Sequence, residues 1–475
     1  MEIFLENIGV VKNSKLSLDG LTVITGENNS GKSTVGKTLY SILDAVCNID
    51  QKAERDRQNY IYTKLIAVKD IMDTIRFLRK PTDEMKRYPA ITCLFSDYYW
   101  NNHIEKNIVE FAYDIARELS EFDPSIIEMA APTSRYFQRR HKTEESVLDI
   151  FEFERKKALQ LLNNMFRDLK KDPELIEYAR ESIDQTLNCE FANQIQPVKK
   201  ADVESHIKLV NQNSIYFDFC IKDNHIENNN TPVFWSAPYK KVFFIDNPFL
   251  LDTPDMPKFL TLDYDEYESD SILNKNLIVK HDERLKRILR SNNKNSTFEK
   301  MVLDDSLVDI RKAIDSALPG SFDFSSDKEY YIHKNFKLSF SNLATGSKMF
   351  SILKILLDRG ALNSDAMLIL DEPEAHLHPK WQNLFAEIVV MLVKKMNICV
   401  LLTTHSPNFM LAIDAYMRKY DLSEKTNFYQ TNFLEDGFVQ YQCVNDNMDV
   451  IYRDFLQYLS EVKMLRNECI RSNGD

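Results

Sequence analysis

Eight residues near the N-terminus constrain this 475-residue chain more than any other feature: Gly26-Glu27-Asn28-Asn29-Ser30-Gly31-Lys32-Ser33. They follow a short apolar run, LTVIT, and open a segment that carries Val35, Leu39, Ile42, Leu43 and Val46 on one side. The pattern G-x-x-x-x-G-K-[ST] between a strand and a helix is a phosphate cradle. Its glycines let backbone N–H groups close around β- and γ-phosphates, and the helix N-terminus adds a favourable dipole. Lys32 can bridge phosphate oxygens, and the Ser33 hydroxyl can reach Mg2+. The loop needs a buried strand beneath it and a helix behind it, which predicts an α/β fold.

Glycine is otherwise scarce. The chain has 10 glycines, about 2% against an average near 7%. Five lie in the first 36 residues and none between 37 and 319. Tight turns and close ligand approach need glycine, so phosphate-handling loops are expected at the two chain ends with a different structure between them. We expect three segments: 1–47, the first part of a nucleotide-binding head; 48–213, a mainly helical insertion; and 214–475, the rest of the head. Prolines at 81, 89, 124, 132 and 173 break the insertion. It has one clear apolar stripe (Leu148, Phe151, Ala158, Leu161, Leu162, Met165) and no sustained heptads, so no long coiled-coil arm is expected. SIYFDFCI (214–221) and KVFFID (241–246) have strand character, residues 282–317 read as helical and 320–340 as two or three strands. A C-terminal hairpin and a last helix over about 448–468 are expected to follow.

Three further motifs fit the loop. Met367-Leu368-Ile369-Leu370-Asp371-Glu372 is an apolar strand ending in two acids. Asp371 can hold Mg2+, and Glu372 can orient and deprotonate an attacking water. Thr403-Thr404-His405-Ser406 ends a second apolar strand, where His405 can touch a γ-phosphate and hold the water in line. Ser341-Asn342-Leu343-Ala344-Thr345-Gly346-Ser347-Lys348 opens an amphipathic helix and is another anion site. It is expected to lie too far from its own chain's phosphate loop to close on it, and so to serve a second protomer's nucleotide.

The order of phosphate loop, helical insertion, Thr345–Gly346 loop, DEPEAHLHP and TTHS resembles the ABC-type ATPase heads related to SMC proteins. Within that group it is most similar to bacterial ATPases of the OLD, Septu and PARIS kind. The clear likeness covers roughly 1–47 and 320–415. It implies an ABC-type P-loop head that uses ATP and Mg2+. Gly26, Asn29, Gly31, Lys32, Ser33 and Thr34 would bind nucleotide, with Thr345 and Gly346 completing the site. Ser33 and Asp371 would hold the metal; Glu372 and His405 would be catalytic. Ala375 to His378 would cross a dimer interface. The resemblance also implies a Mg2+-sensing glutamine, for which Gln194, Gln196 and Gln212 all stay open. The signature reads Ala344-Thr345-Gly346, so Thr345 must supply its hydroxyl. Only 70 residues follow His405, too few for the nuclease domain of OLD proteins. The expected role is therefore the sensor ATPase of an anti-phage system, a homodimer or higher homo-oligomer that controls a separate nuclease or toxin. DNA or a phage protein is a further expected partner. The alternative is a repair or chromosome-maintenance ATPase that clamps DNA.

A net charge of −12 argues against a uniformly basic nucleic-acid coat protein. Two local clusters could still hold DNA or pair with nearby acids: Arg135, Arg139, Arg140, His141 and Lys142, and Arg284, Lys286, Arg287, Arg290 and Lys294. Tyr98, Tyr99 and Trp100 read as core or interface. His376 and His378 beside Glu374 imitate metal spacing but sit in the DEPEAHLHP loop. Seven scattered cysteines without a C-x-x-C pair exclude a disulfide scaffold. No apolar run spans a membrane and no leader is visible, so a cytoplasmic protein is expected.

Overall fold

A computed structural model describes residues 1–72, 84–94, 107–126, 147–171, 174–197, 204–211, 214–227, 238–252, 280–290, 305–324 and 329–472. These form two compact units. The first comprises the described residues of 1–49, 176–252 and 280–472, and the second those of 50–175.

The first unit is built on an eleven-stranded sheet. Five strands form its parallel part: β3 (Leu21–Thr25), β7 (Lys241–Ile245), β11 (Ala366–Asp371), β12 (Cys399–Thr404) and β13 (Thr426–Phe433). Their order is β13-β3-β12-β11-β7. These strands are continuous apolar runs because helices cover both faces. Leu21, Val23, Phe243, Leu368, Leu370, Val400 and Leu402 face one core. Ile24, Val242, Phe244, Met367, Ile369 and Leu401 face the other. That alternation is the strand period of two applied to a sheet buried on both sides.

Helix α1 (Lys32–Val46) packs Val35, Leu39, Ile42 and Leu43 on the second face. Phe350 of one helix (Thr345–Asp358), Phe385 of another (Pro379–Met396) and Phe409 of a third (Pro407–Lys419) meet on the first. The last two helices each begin with proline after a capping side chain, His378 or Ser406. Proline has no N–H to leave unpaired there.

The rest of the sheet is largely antiparallel: β1 (Glu2–Ile8), β2 (Val11–Ser17), β4 (Ser205–Asn211), β5 (Ser214–Lys222) and β6 (His225–Ile226). Strand β14 (Val439–Cys443) joins the two parts, pairing antiparallel with β13 and parallel with β2. A separate three-stranded sheet holds β8 (Ser321–Asp323), β9 (Tyr330–His333) and β10 (Phe336–Ser339), within the expected strand region.

The second unit is helical in its described residues: α2 (Ile49–Met72), α3 (Pro89–Leu94), α4 (Ile108–Glu121) and α5 (Val147–Leu169). Leu65, Ala112, Ile115, Phe151, Leu162 and Met165 share its core. The 24 residues of α2 span about 36 Å at 1.5 Å per residue.

One boundary needs correction. The insertion was expected to run to 213, but α6 (Leu175–Glu190) and β4 pack with the sheet. Ala179, Ile183 and Leu187 of α6 join Leu39 and Ile42 in its core, and β4 pairs with β1. The alternation of buried Ile207 and Leu209 with half-buried neighbours marks β4 as a strand.

Candidate active site

The strand order puts four chain reversals at one edge. Thr25 pairs with Thr404, Asp371 with Thr403 and Leu370 with Ile245, so β3, β12, β11 and β7 end together. The phosphate loop leaves β3 there and enters α1. Gly31, with φ 75°, is the N-cap of that helix. A Cβ on Gly26 would lie 1.7 Å from Thr431 Oγ1, so only glycine fits beneath β13.

A cavity of about 630 Å3 opens on this edge. Asn29, Gly31, Lys32 and Ser33 line it, together with Asp371 and Glu372. Lys32 is 4% exposed. Its ammonium donates to the carbonyls of Gly26 (3.0 Å) and Glu27 (2.7 Å) and lies 3.3 Å from Glu372 Oε1. Thr34 lies outside the lining; its N–H donates to the Gly31 carbonyl at 3.0 Å.

Asp371 accepts hydrogen bonds from the hydroxyls of Ser33 and Thr403. Burial pushes its pKa up, those two donors pull it down, and the charges of Glu372 and Asp246 push it up again. A half-buried carboxyl beside a serine hydroxyl, with no lysine or arginine among its main influences, is a donor set that suits a divalent cation. Burial also pushes up the pKa of Glu374, which accepts from the Thr404 hydroxyl.

Glu372 has φ 48°, left-handed for a non-glycine residue. Its N–H is held by Thr403, through the carbonyl at 3.2 Å and the hydroxyl at 3.1 Å. Such a backbone costs about 1–3 kcal/mol and persists where its surroundings impose it. The twist turns the carboxylate so that Oε2 lies 3.0 Å from His405 Nδ1. His405 is outside the cavity lining but touches the residue that faces it. The loop beyond is pinned through Gln382. Its amide donates to the Leu377 carbonyl at 3.1 Å, and its carbonyl accepts from Ser406 (3.2 Å) and Asn408 (3.0 Å).

Thr345 and Gly346 were expected to serve a second protomer's nucleotide. They line the same cavity as their own chain's phosphate loop. The helix they begin rests on the loop after Asp371: a Cβ on Gly346 would meet the His376 carbonyl and Leu377 Cδ2, each at 3.1 Å. Lys348 Nζ anchors the helix to Asp252 Oδ1 at 2.7 Å.

Other candidate positions make different contacts. Gln196 bonds the Ile221 carbonyl at 3.2 Å, Gln194 is absent from the lining, and Gln212 is outside the described residues. Among the described residues there is no group of three or more His, Cys, Asp or Glu placed to hold a metal ion. In the second basic cluster, Lys286 is 4% exposed, Arg284 pairs with Asp44 and Arg290 with Glu329. Residues 98–100, 135, 139–142 and 294 lie outside the described residues.

Two contributors went unseen in the sequence. Tyr441, on β14, donates its hydroxyl to the Gly31 carbonyl at 2.6 Å and so braces the phosphate loop. Asp246, at the end of β7, lines the cavity. The only hint of it was an acid closing the run KVFFID.

The chain matches the AAA ATPase domain family over residues 1–410. No curated protein matches it. It is similar to the solved SMC head domain from Thermotoga maritima, at 10% identity and a TM-score of 0.34 over 93% of this chain and 98% of that one. It is also similar to the Smc head domain with an extended coiled coil from Pyrococcus furiosus, bound to the C-terminal domain of ScpA. That likeness has 10% identity and a TM-score of 0.30 over 97% of this chain and 98% of the other. Among the described residues no helix is long and apolar enough to cross a membrane.

Proposed function

The chain belongs to the AAA ATPase domain family, and we propose that it hydrolyses ATP to ADP and phosphate in the cavity between its phosphate loop and Glu372. The observation that carries the reading is the placement of Glu372, with one carboxylate oxygen toward Lys32 and the other toward His405. A γ-phosphate competes for the Lys32 ammonium, which now rests on its own loop. Once released by Lys32, Glu372 accepts a proton from water, and His405 holds the carboxylate in place. Ser33 and Asp371 would hold Mg2+, which when bound offsets charge on the β- and γ-phosphates. Purified protein should release phosphate from ATP with Mg2+, and both EDTA and Lys32→Ala should stop it. Native release in the Lys32→Ala protein would reject the site.

For the biological role we propose the sensor ATPase of a cytoplasmic anti-phage system, acting as a homo-oligomer that restrains a separate nuclease or toxin. Support comes from the resemblance carried by the phosphate loop, DEPEAHLHP and TTHS. The alternative is a chromosome-maintenance ATPase that clamps DNA directly; in the second basic cluster, Arg284 and Arg290 are paired with acids. Cells carrying the gene with its neighbouring reading frame should resist phage infection, and Lys32→Ala should remove the resistance. Equal plaque counts with and without the pair would reject this role. Tight DNA binding by the chain alone would favour the clamp.

A further inference from the structure

Three carboxylates line the cavity: Asp246, Asp371 and Glu372. The ATPase reading uses two of them. Asp246 follows β7, the strand beside β11, and emerges one strand over from Asp371. Its surroundings hold it firmly. Asp246 Oδ1 lies 3.0 Å from His281 Nε2, and His281 Nδ1 lies 2.7 Å from Glu190 Oε2. The His281 backbone N–H donates to the other Glu190 oxygen at 2.7 Å. His281 and Glu190 are 6% and 4% exposed. The rings of Phe244 and Tyr40 pack beside the imidazole, with centroids 4.2 and 5.8 Å from it. Asp246 itself keeps 31% of its side chain exposed. Desolvating a histidine between two carboxylates is costly. In return, one end of the relay is fixed deep in the head and the other presents a carboxylate to the cavity.

We propose that Asp246 is a second carboxylate of the divalent-cation site, beside Ser33 and Asp371, and that His281 and Glu190 are the positioning pair that aims it. The inference rests on the ATPase reading. Magnesium with a nucleotide is held by one or two carboxylates plus phosphate oxygens, and retains several waters. Partners behind such ligands fix their orientation, and losing one costs about 10–100-fold in metal affinity. A purely structural relay would affect folding but not the metal requirement of nucleotide binding.

The test uses the full chain and a fluorescent ATP analogue, first in EDTA and then with Mn2+ titrated in, bound Mn2+ being read by electron paramagnetic resonance. Asp246→Asn should bind the analogue in EDTA within about twofold of native, yet need about tenfold more Mn2+ for half-saturation. Asp246→Glu should recover part of that shift. His281→Asn and Glu190→Gln should move the midpoint the same way by a smaller factor, and they carry the test if Asp246→Asn does not fold. Native Mn2+ midpoints in the folded variants would overturn the proposal and leave the ATPase reading standing. No analogue binding by the native protein would overturn both.

Discussion

The carboxylate of Glu372 and the imidazole of His405 lie 3.0 Å apart although the two residues are 33 positions apart in the chain. Adjacent strands β11 and β12 end in register, Asp371 opposite Thr403, and the left-handed twist at Glu372 turns its side chain across the gap. His405→Ala leaves Lys32 and the phosphate loop in place but frees Glu372. Turnover should fall about 10–100-fold, the scale of a misplaced proton acceptor, with ATP affinity within about threefold. Steady-state phosphate release and equilibrium binding on one preparation separate the two effects. Lost affinity with unchanged turnover would assign His405 to binding instead.

Tyr441 acts at one remove, through the Gly31 carbonyl it bonds at 2.6 Å. Tyr441→Phe removes that donor without changing shape. Urea unfolding should show a loss of about 1 kcal/mol, with ATP binding weakened several-fold because the loop is less well held. Unchanged ATP affinity would confine Tyr441 to a structural part.

Thr345 lines its own chain's cavity at the start of a helix. Thr345→Glu suits the helix dipole, so folding should be preserved. The added carboxylate should repel a triphosphate in the same cavity and weaken ATP binding about tenfold or more in dilute, monomeric protein. Native affinity combined with loss of ATP-dependent pairing would mean that Thr345 serves a partner's nucleotide.

The phosphate loop, Asp371, Glu372 and His405 were legible because their chemistry is local: each is a short motif at the end of an apolar run. The apolar strands that end at Asp371 and at Thr404 were legible for the same reason. Asp246, His281 and Glu190 were not. Glu190 ends one helix and His281 begins another 91 residues later, and no periodicity links them. Tyr441 reads as an ordinary hairpin residue until the sheet order brings β14 beside β2. Thr345 lies at the cavity because the helix it begins packs on the loop after Asp371, a relation between residues 346 and 376 that spacing does not reveal.

The His281 relay predicts a pH dependence. Burial works against the imidazolium, but Asp246 and Glu190 override it and push the His281 pKa up to about 9. The folded value exceeds the ordinary one near 6.5. Its stabilisation is therefore complete below about pH 6.5 and is lost as pH rises through about 9. Native protein and His281→Asn, unfolded in urea from pH 6 to 10, should differ most at the acid end and converge at the alkaline end. A gap that widens with pH would contradict the assignment.

The central claim is that Glu372 accepts the proton from the attacking water. Glu372→Gln keeps the size and hydrogen-bonding shape of the side chain but removes its basicity. Single-turnover hydrolysis of radiolabelled ATP, with enzyme in excess over nucleotide, tests this directly. The account predicts ATP bound as tightly as by the native protein and hydrolysed at least about 100-fold more slowly. Hydrolysis at the native rate by the Glu372→Gln protein would contradict it.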